Sequence, residues 1–429
     1  MKYIPTDPEL FIQNRARLAK LMKPGSVAVV NSNDIMPTNA DGTMAFVQNS
    51  DLYYLTGINQ EETILLFCPD NPNPMMREIL FIRETNDYLT IWEGYKYTQE
   101  EARRISGIQN VRWISDFPVF FRQMMCEQRE VYLNSNEHYR ATDCVETRDM
   151  RFIKQCQKDY PLHTYFRLAL LMHELRVIKS PTEIEIIRQA CEITGKGFAR
   201  VLKNVKPGIN EAEVEADFAY EFLRHKAVFS FLPIIASGAN TCVLHYIRND
   251  QVCQEGDLLL LDVGAGYGNY VADMTRTIPI SGRFTPRQRQ VYEAVLRVYR
   301  GVMKAMKPGL GIEDLRRIAE ELTQEECLRL GLFTESELKA QSPEAPLVRK
   351  YFMHGVSHSI GIDVHDVMYP QYQKIAPGWV LSCEPGIYIR EEGLGVRLED
   401  TVYLTENGAV SLMENIPLEP DDIEAEMNK

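Results

Sequence analysis

The sequence predicts an α/β amino-terminal domain over residues 1–172 followed by an α+β domain over residues 173–429 built as an internal pseudo-duplication. Three observations lead there. A chain of 429 residues is long enough for two or three domains, each with its own core. Its first part alternates short apolar runs with helical stretches. Beyond it, one design occurs twice: a capped helix stopped by Lys-Pro-Gly, a second helix, and a strand hairpin that carries acids.

In the first domain the spacing predicts an opening helix through ELFIQNRARLAKLM, stopped at Pro24-Gly25. SVAVV from Ser26, ETILLF from Glu62 and EILFIR from Glu78 are β-rich runs bounded by Pro, Asn and Asp, and read as strands. No catalytic constellation stands out in this part.

The second domain opens near Glu174. In KSPTEIEIIRQACEITGKGFARVLKNV, Ser180 is the expected N-cap, Pro181 the first-turn residue and Glu183 the partner in a capping box. Ile184, Ile187, Cys191, Phe198, Val201 and Val205 recur at helical spacing and predict one buried stripe, ending at Lys206-Pro207-Gly208. FTPRQRQVYEAVLRVYRGVMKAM repeats the design, with Thr285, Pro286 and Gln288 in the same places and a stop at Lys307-Pro308-Gly309. A further helix is expected after each stop, in NEAEVEADFAYEFLRHK and GIEDLRRIAEELTQEECLRLG. EGDLLLLDVGAGY then puts Asp262 six residues after Gly256, and PGWVLSCEPGIY puts Glu384 six residues after Gly378. Asp273 and Glu399 lie on the two returning strands. Chance could supply caps and Pro-Gly stops; agreement in element order and acid placement as well favours duplication.

An acid directly after four leucines, as Asp262 is, is costly to bury unless it is paired or coordinated. The bland alternative makes Asp262 a strand-end turn residue and Asp273 a surface acid. GAGYGN suggests a phosphate loop, but NYVADMTRTIPI after it reads as strand where a nucleotide fingerprint opens a helix. HGVSHSIGIDVHD gathers His354, His358 and His365, three of the eight histidines in the chain. Gly355, Val356 and Gly361 argue against a helical zinc pair there. With the acids, His358 is favoured as a ligand and the other two as substrate-facing groups. Arg397 stands two residues before Glu399, on the same face of a strand, where it can steer a carboxylate; an ordinary ion pair is the alternative. Cys383, beside Glu384, is better read as a packing residue than as a nucleophile. Four carboxylates and one imidazole, in the order Asp262, Asp273, His358, Glu384, Glu399, suit two hard or borderline divalent ions better than a structural zinc. Two such ions sharing a water make a hydrolytic centre.

Net charge is −13, so no nucleic-acid partner is expected. The start, MKYIPTDPELFIQNR, lacks an apolar signal core, no stretch reaches membrane-spanning length, and nine scattered cysteines without CxxC spacing read as reduced thiols. No membrane partner is expected and the predicted location is cytoplasmic.

The five ordered ligand types, the HGxSHxxGxDVHD form, EPGIY around Glu384 and RLED around Glu399 closely resemble the pita-bread metallopeptidases, in the branch of Xaa-Pro aminopeptidase (aminopeptidase P) and prolidase. QNSDLYYLTG from Gln48 resembles that branch's creatinase-type amino-terminal domain, so the resemblance covers nearly the whole chain. It implies a pita-bread catalytic domain. It also implies that Asp262 chelates one metal, that Asp273 and Glu399 bridge both, and that His358 and Glu384 complete the shell of the other metal. Glu384 would also shuttle a proton. His245, His354 and His365 match histidines around the scissile bond, the oxyanion and the proline site. Tyr388 and Arg397 match supporting positions. Trp92 matches an aromatic offered to substrate from the first domain. The implied cofactors are two divalent ions, manganese first, with cobalt or zinc fitting the same donors. The implied substrates are peptides with proline second, and the implied assembly is a homodimer or homotetramer. Prolidase shares every ligand and is the nearest alternative. A non-catalytic peptide-binding protein on this scaffold should have lost ligands, and none is missing. Only EEGLG separates GIYIR from VRLED, where some aminopeptidase P chains carry a longer insertion, which leaves the active-site rim and the preferred peptide length undetermined.

Overall fold

The computed structural model describes residues 6–141, 144–368 and 374–429. The first five residues, part of the start segment read above, lie outside the described residues. The chain divides into two compact units between Arg176 and Val177. The division falls a little beyond residue 172 because the helix Ala169–Arg176 belongs wholly to the first unit.

The first unit is a six-stranded mixed sheet with helices, which makes it α/β as the sequence indicated. In chain order the strands are β1 (Ser26–Asn31), β2 (Ile64–Phe67), β3 (Glu78–Ile82), β4 (Asn110–Trp113), β5 (Glu130–Leu133) and β6 (Thr164–Arg167). Their order across the sheet is β4-β3-β2-β1-β5-β6. The opening helix runs Pro8–Leu21, capped by the Asp7 side chain. β2 begins two residues later than expected because Glu62 takes a left-handed turn conformation (φ 50°). The last three strands, of four residues each and carrying charged side chains, are too short and too polar to announce themselves by alternation. Val27, Val29, Leu66, Ile79, Phe81 and Val131 pack with Phe121 and Met124 in the core on one face.

The second unit carries the duplication. Helix α1 (Pro181–Asn204) has the expected capping box between Ser180 and Glu183, and α2 (Glu211–Arg224) follows. Helices α3 (Pro286–Ala305), capped by Thr285 and Gln288, and α4 (Ile312–Arg329) repeat the pair. The buried stripe of α1 is wider than predicted. Ile186 and Ile193 are buried while Ile184 is half-buried, since α1 packs against both α2 and the strands that follow the first acid.

Each helix pair is followed by nested hairpins. In the first half β7 (Val228–Phe229) and β8 (Ile234–Ser237) lead to β9 (Leu258–Val263), β10 (Ala265–Tyr267), β11 (Tyr270–Val271) and β12 (Met274–Pro279). β9 and β12 pair antiparallel as the outer hairpin, and β10 and β11 form an inner one. In the second half β13 (Val380–Cys383) pairs with β16 (Asp400–Thr405), enclosing the inner pair β14 (Gly386–Ile389) and β15 (Leu394–Arg397), and β17 (Gly408–Ser411) joins the far side of β16. The inner hairpins were not foreseen. They place Asp273 and Glu399 directly before β12 and β16 rather than within the returning strands. GAGYGN forms β10 and its turn, followed by strand, so no helix opens there for a phosphate.

The crossover from β9 to β10 depends on Gly264, where a Cβ would run into the Ala272 carbonyl oxygen. Gly264→Ala is therefore expected to destabilise the fold by about 2–3 kcal/mol through overpacking. Urea unfolding checks this, and a midpoint unchanged from the parent would show that the hairpin yields freely.

Candidate metal centre

The five predicted ligands converge from both halves. Asp262 lies near the end of β9 and Glu384 directly after β13; Asp273 and Glu399 precede β12 and β16. His358 sits on an extended segment beside β13. Its carbonyl accepts from Ser382 N (2.8 Å), and Ser359 bridges Leu381. That segment occupies, against β13, the place that β8 holds against β9. The expectation that its glycines exclude a helical pair of histidines is met by this geometry.

Ligand atoms of Asp273, His358 and Glu399 all lie within 4.8 Å of one another, and all three residues are buried. His358 Nε2 is 3.4 Å from Asp273 Oδ2 and 3.6 Å from Glu384 Oε1. Its Nδ1 lies 3.1 Å from the Ser359 carbonyl and donates to it, so Nε2 is the nitrogen turned to the acids. In the metal-free centre Nε2 donates to them as part of a charged imidazole, and once that proton leaves it is the atom free to bind a metal. Asp262 joins through Arg397, whose Nη2 is 2.5 Å from Asp262 Oδ2. Arg397 thus grips the acid of the other half instead of its own neighbour Glu399, and its Nη1 donates to Tyr388 OH at 3.0 Å.

The electrostatics are those of a cation site. Burial pushes the Asp262 carboxyl up to about 6 against the opposing pull of Arg397, with Asp273 adding to the rise. Burial and then the Asp273 and Glu384 charges raise Glu399 well above the usual carboxylate range. Burial raises Glu384 too, against His358 and Arg397. On His358 burial disfavours the charge, but the hydrogen bond to Asp273 and the charge of Glu384 prevail and lift it to about 9. An environment that draws a proton so strongly onto an imidazole also draws a metal cation. Asp262 Oδ1, Asp273 Oδ1 and Glu399 Oε1 are buried with no hydrogen-bond partner among the described residues. Three orphaned carboxylate oxygens, one from each of three predicted ligands, are an unusual cost that coordination removes. The residues present fit a divalent metal.

His354 Nε2 lies 2.8 Å from Tyr388 OH and its Nδ1 lies 2.6 Å from the Gly355 carbonyl. Burial, then the Arg397 charge, hold it down at about 3, so it is neutral near pH 7. It is 3.7 Å from Glu384 Oε2. His365 is exposed and meets the His358 ring edge to face at 4.4 Å between centroids. His245 lies on an exposed segment after the turn Gly238–Cys242, and its charge lowers the proton affinity of His354. Cys383 is buried and its thiol is raised well above its ordinary value by burial, which suits packing and not nucleophilic attack. Trp92 is exposed on the helix Asp87–Glu93 of the first unit.

Sequence reasoning missed Ser382 and Thr275. Ser382 Oγ donates to Glu384 Oε1 (3.2 Å) and accepts from His358 N (2.9 Å). Thr275 Oγ1 donates to Glu399 Oε2 (2.7 Å). Each stands two residues from a ligand on its strand, and that spacing was the available signal.

Residues 185–406 match the family model for metallopeptidase family M24. The chain belongs to metallopeptidase family M24. Residues 11–132 match the model for the aminopeptidase P N-terminal domain, so the M24 unit is preceded by a second recognised module. The M24 chain is 32% identical over 432 residues to the Xaa-Pro aminopeptidase of Escherichia coli (strain K12), covering 97% of each protein. Among solved structures it resembles a putative aminopeptidase P from Bacillus anthracis (34% identity, 98% of each chain, TM-score 0.91). It also resembles a zinc-substituted Escherichia coli aminopeptidase P in complex with product (31% identity, 99% of each chain, TM-score 0.87). The α/β amino-terminal domain and pita-bread catalytic domain are those of aminopeptidase P.

Proposed function

We propose that this metallopeptidase is an Xaa-Pro aminopeptidase, removing the first residue of peptides with proline second. The observation that carries the reading is the convergence of Asp273, His358 and Glu399 within 4.8 Å, with Glu384 and Asp262 around them and three carboxylate oxygens unpartnered. The match of the first unit to the aminopeptidase P N-terminal domain favours this over prolidase.

Two divalent ions are proposed, which Asp262, Asp273, His358, Glu384 and Glu399 would hold. Manganese suits a set of four carboxylates and one imidazole, and the zinc-substituted relative agrees with N/O donors that accept more than one metal. When bound, the ions would acidify a water and polarise the scissile carbonyl. Everything else falls to side chains of the chain itself. Glu384, half-buried and reachable from solvent, takes the proton of the attacking water and hands it to the proline nitrogen, which as a tertiary amide must be protonated to leave. Neutral His354, whose Nε2 accepts from Tyr388 OH, is assigned to holding the substrate; its one N–H, now given to the Gly355 carbonyl, would serve the developing oxyanion by exchanging that partner. Arg397 holds Asp262 in place and balances its charge. His245 and His365, both exposed near this centre, are assigned to the peptide around the scissile bond and the proline ring.

We further propose a cytoplasmic enzyme acting as a homodimer or homotetramer. All nine cysteines are free thiols, seven of them buried, in keeping with a reducing compartment. No helix among the described residues is long and apolar enough to cross a membrane. Tyr88, Ile91, Trp92 and Tyr95 are exposed together on the first unit and would suit a contact between subunits.

The reading is tested by cleavage of an Xaa-Pro-Yaa tripeptide against an Xaa-Pro dipeptide after chelation, with and without added manganese. Metal-restored release of the first residue from the tripeptide is expected. Cleavage confined to the dipeptide would make the enzyme a prolidase, and no cleavage of either would refute the assignment.

A further inference from the structure

The two halves of the catalytic unit meet along β12 and β16, and two threonines sit at that seam. Thr275 stands two residues after Asp273, and Thr401 two residues after Glu399. The main chains of Thr275 and Glu399 pair in both directions, at 3.3 and 3.0 Å. Reciprocally, Thr401 Oγ1 accepts from Asp273 N (3.0 Å) and donates to Asp273 O (2.9 Å). Each half therefore holds the other half's acid through the residue two places beyond its own.

Thr275 does more than pair backbones. Its side chain is fully buried. Arg397 Nε lies 3.1 Å from Thr275 Oγ1 and can only donate. The hydroxyl has a single proton, so with a lone pair committed to Arg397 that proton goes to Glu399 Oε2, 2.7 Å away. Glu399 is thereby anchored through one oxygen, and Oε1 is the buried oxygen left without a partner. We infer that Thr275 is a positioning residue that assigns the two oxygens of Glu399, Oε2 to the protein and Oε1 to a metal ion, and couples that choice to Arg397 and hence to Asp262. The inference rests on the metallopeptidase reading, and its subject is the affinity of the centre for metal.

The test compares Thr275→Val and Thr275→Ser with the parent by calorimetric titration of the chelated full chain with Mn2+, alongside melting temperatures of the metal-free forms. Valine keeps the branched shape and loses the hydroxyl; it is expected to weaken Mn2+ binding about 10- to 100-fold, as losing a hydrogen-bond partner of a ligand does. Serine restores the hydroxyl and is expected to bind as the parent does. If Thr275→Val does not fold, Thr275→Ala against Thr275→Ser gives the same comparison. A valine variant that melts lower but binds Mn2+ like the parent would overturn the inference, leaving Thr275 a packing residue. A serine variant as weak as valine would overturn it as well. A parent that takes up no divalent ion would instead refute the metal reading itself, and the inference with it.

Discussion

Glu384→Gln is expected to lower kcat for Xaa-Pro-Yaa cleavage by about a thousandfold, within the range that positioned proton transfer supplies. Glutamine is nearly isosteric, and its carbonyl oxygen can still accept the Ser382 hydroxyl that now reaches Glu384 Oε1. It cannot receive a proton from water and release it to the proline nitrogen. Burial, opposed by His358 and Arg397, raises the proton affinity of Glu384, the direction that favours a group taking up a proton from water. Steady-state kinetics should show the loss in kcat, with metal content by elemental analysis reported for the same sample. A variant with near-parental kcat and a full complement of metal would remove Glu384 from proton transfer. Loss of metal along with activity would recast it as a ligand alone.

Chelation is expected to lower the melting temperature by roughly 5–10 °C relative to protein in manganese at about a hundred times its dissociation constant. The gap should widen as pH rises. In the metal-free fold Asp262 titrates at about 6 against an ordinary value of 3.8, so the folded chain binds the extra proton. Stability is thus lost as pH rises from about 4 through 6. His358, lifted to about 9 from 6.5, has the same sign: its contribution is full below 6.5 and disappears as pH rises through 9. His354, held near 3, has the opposite sign, with stability gained as pH rises towards 6.5. It is not among the proposed ligands, so the loaded-minus-chelated difference largely isolates the ligands, where Glu384 and Glu399, also raised by burial, share the sign of Asp262 and His358. Melting curves of both forms between pH 5 and 8.5 test this. A gap that stays constant or narrows would mean that the groups with raised proton affinity do not face the metal.

Much of the catalytic unit was legible because its signals are local. Caps such as Ser180–Glu183 and Thr285–Gln288, and stops such as Pro207-Gly208, act through backbone groups a few residues away and leave the same mark wherever the helix packs. An acid after four leucines signals itself by the cost of burying it. Repetition of these local signals revealed the duplication and the four candidate acids, and the clustering of three histidines added His358. β4, β5 and β6 escaped because four residues of mixed polarity carry too little periodicity, and they become strands only through neighbours far away in sequence.

What only the tertiary structure decided is who touches whom. Arg397 was expected to steer a metal-binding carboxylate; which one was decided by the inner hairpin β14/β15, which turns its guanidinium to Asp262 of the first half and leaves Glu399 to be reached through Thr275. Thr275 and Ser382 became partners of Glu399 and Glu384 by strand pairing and side-chain direction, neither of which composition encodes. The sequence by itself determined which residues could bind a metal, since ligand chemistry belongs to the side chain. The fold decided which oxygen of each carboxylate is left free, because that choice is made by hydrogen bonds across a seam of residues more than a hundred positions apart.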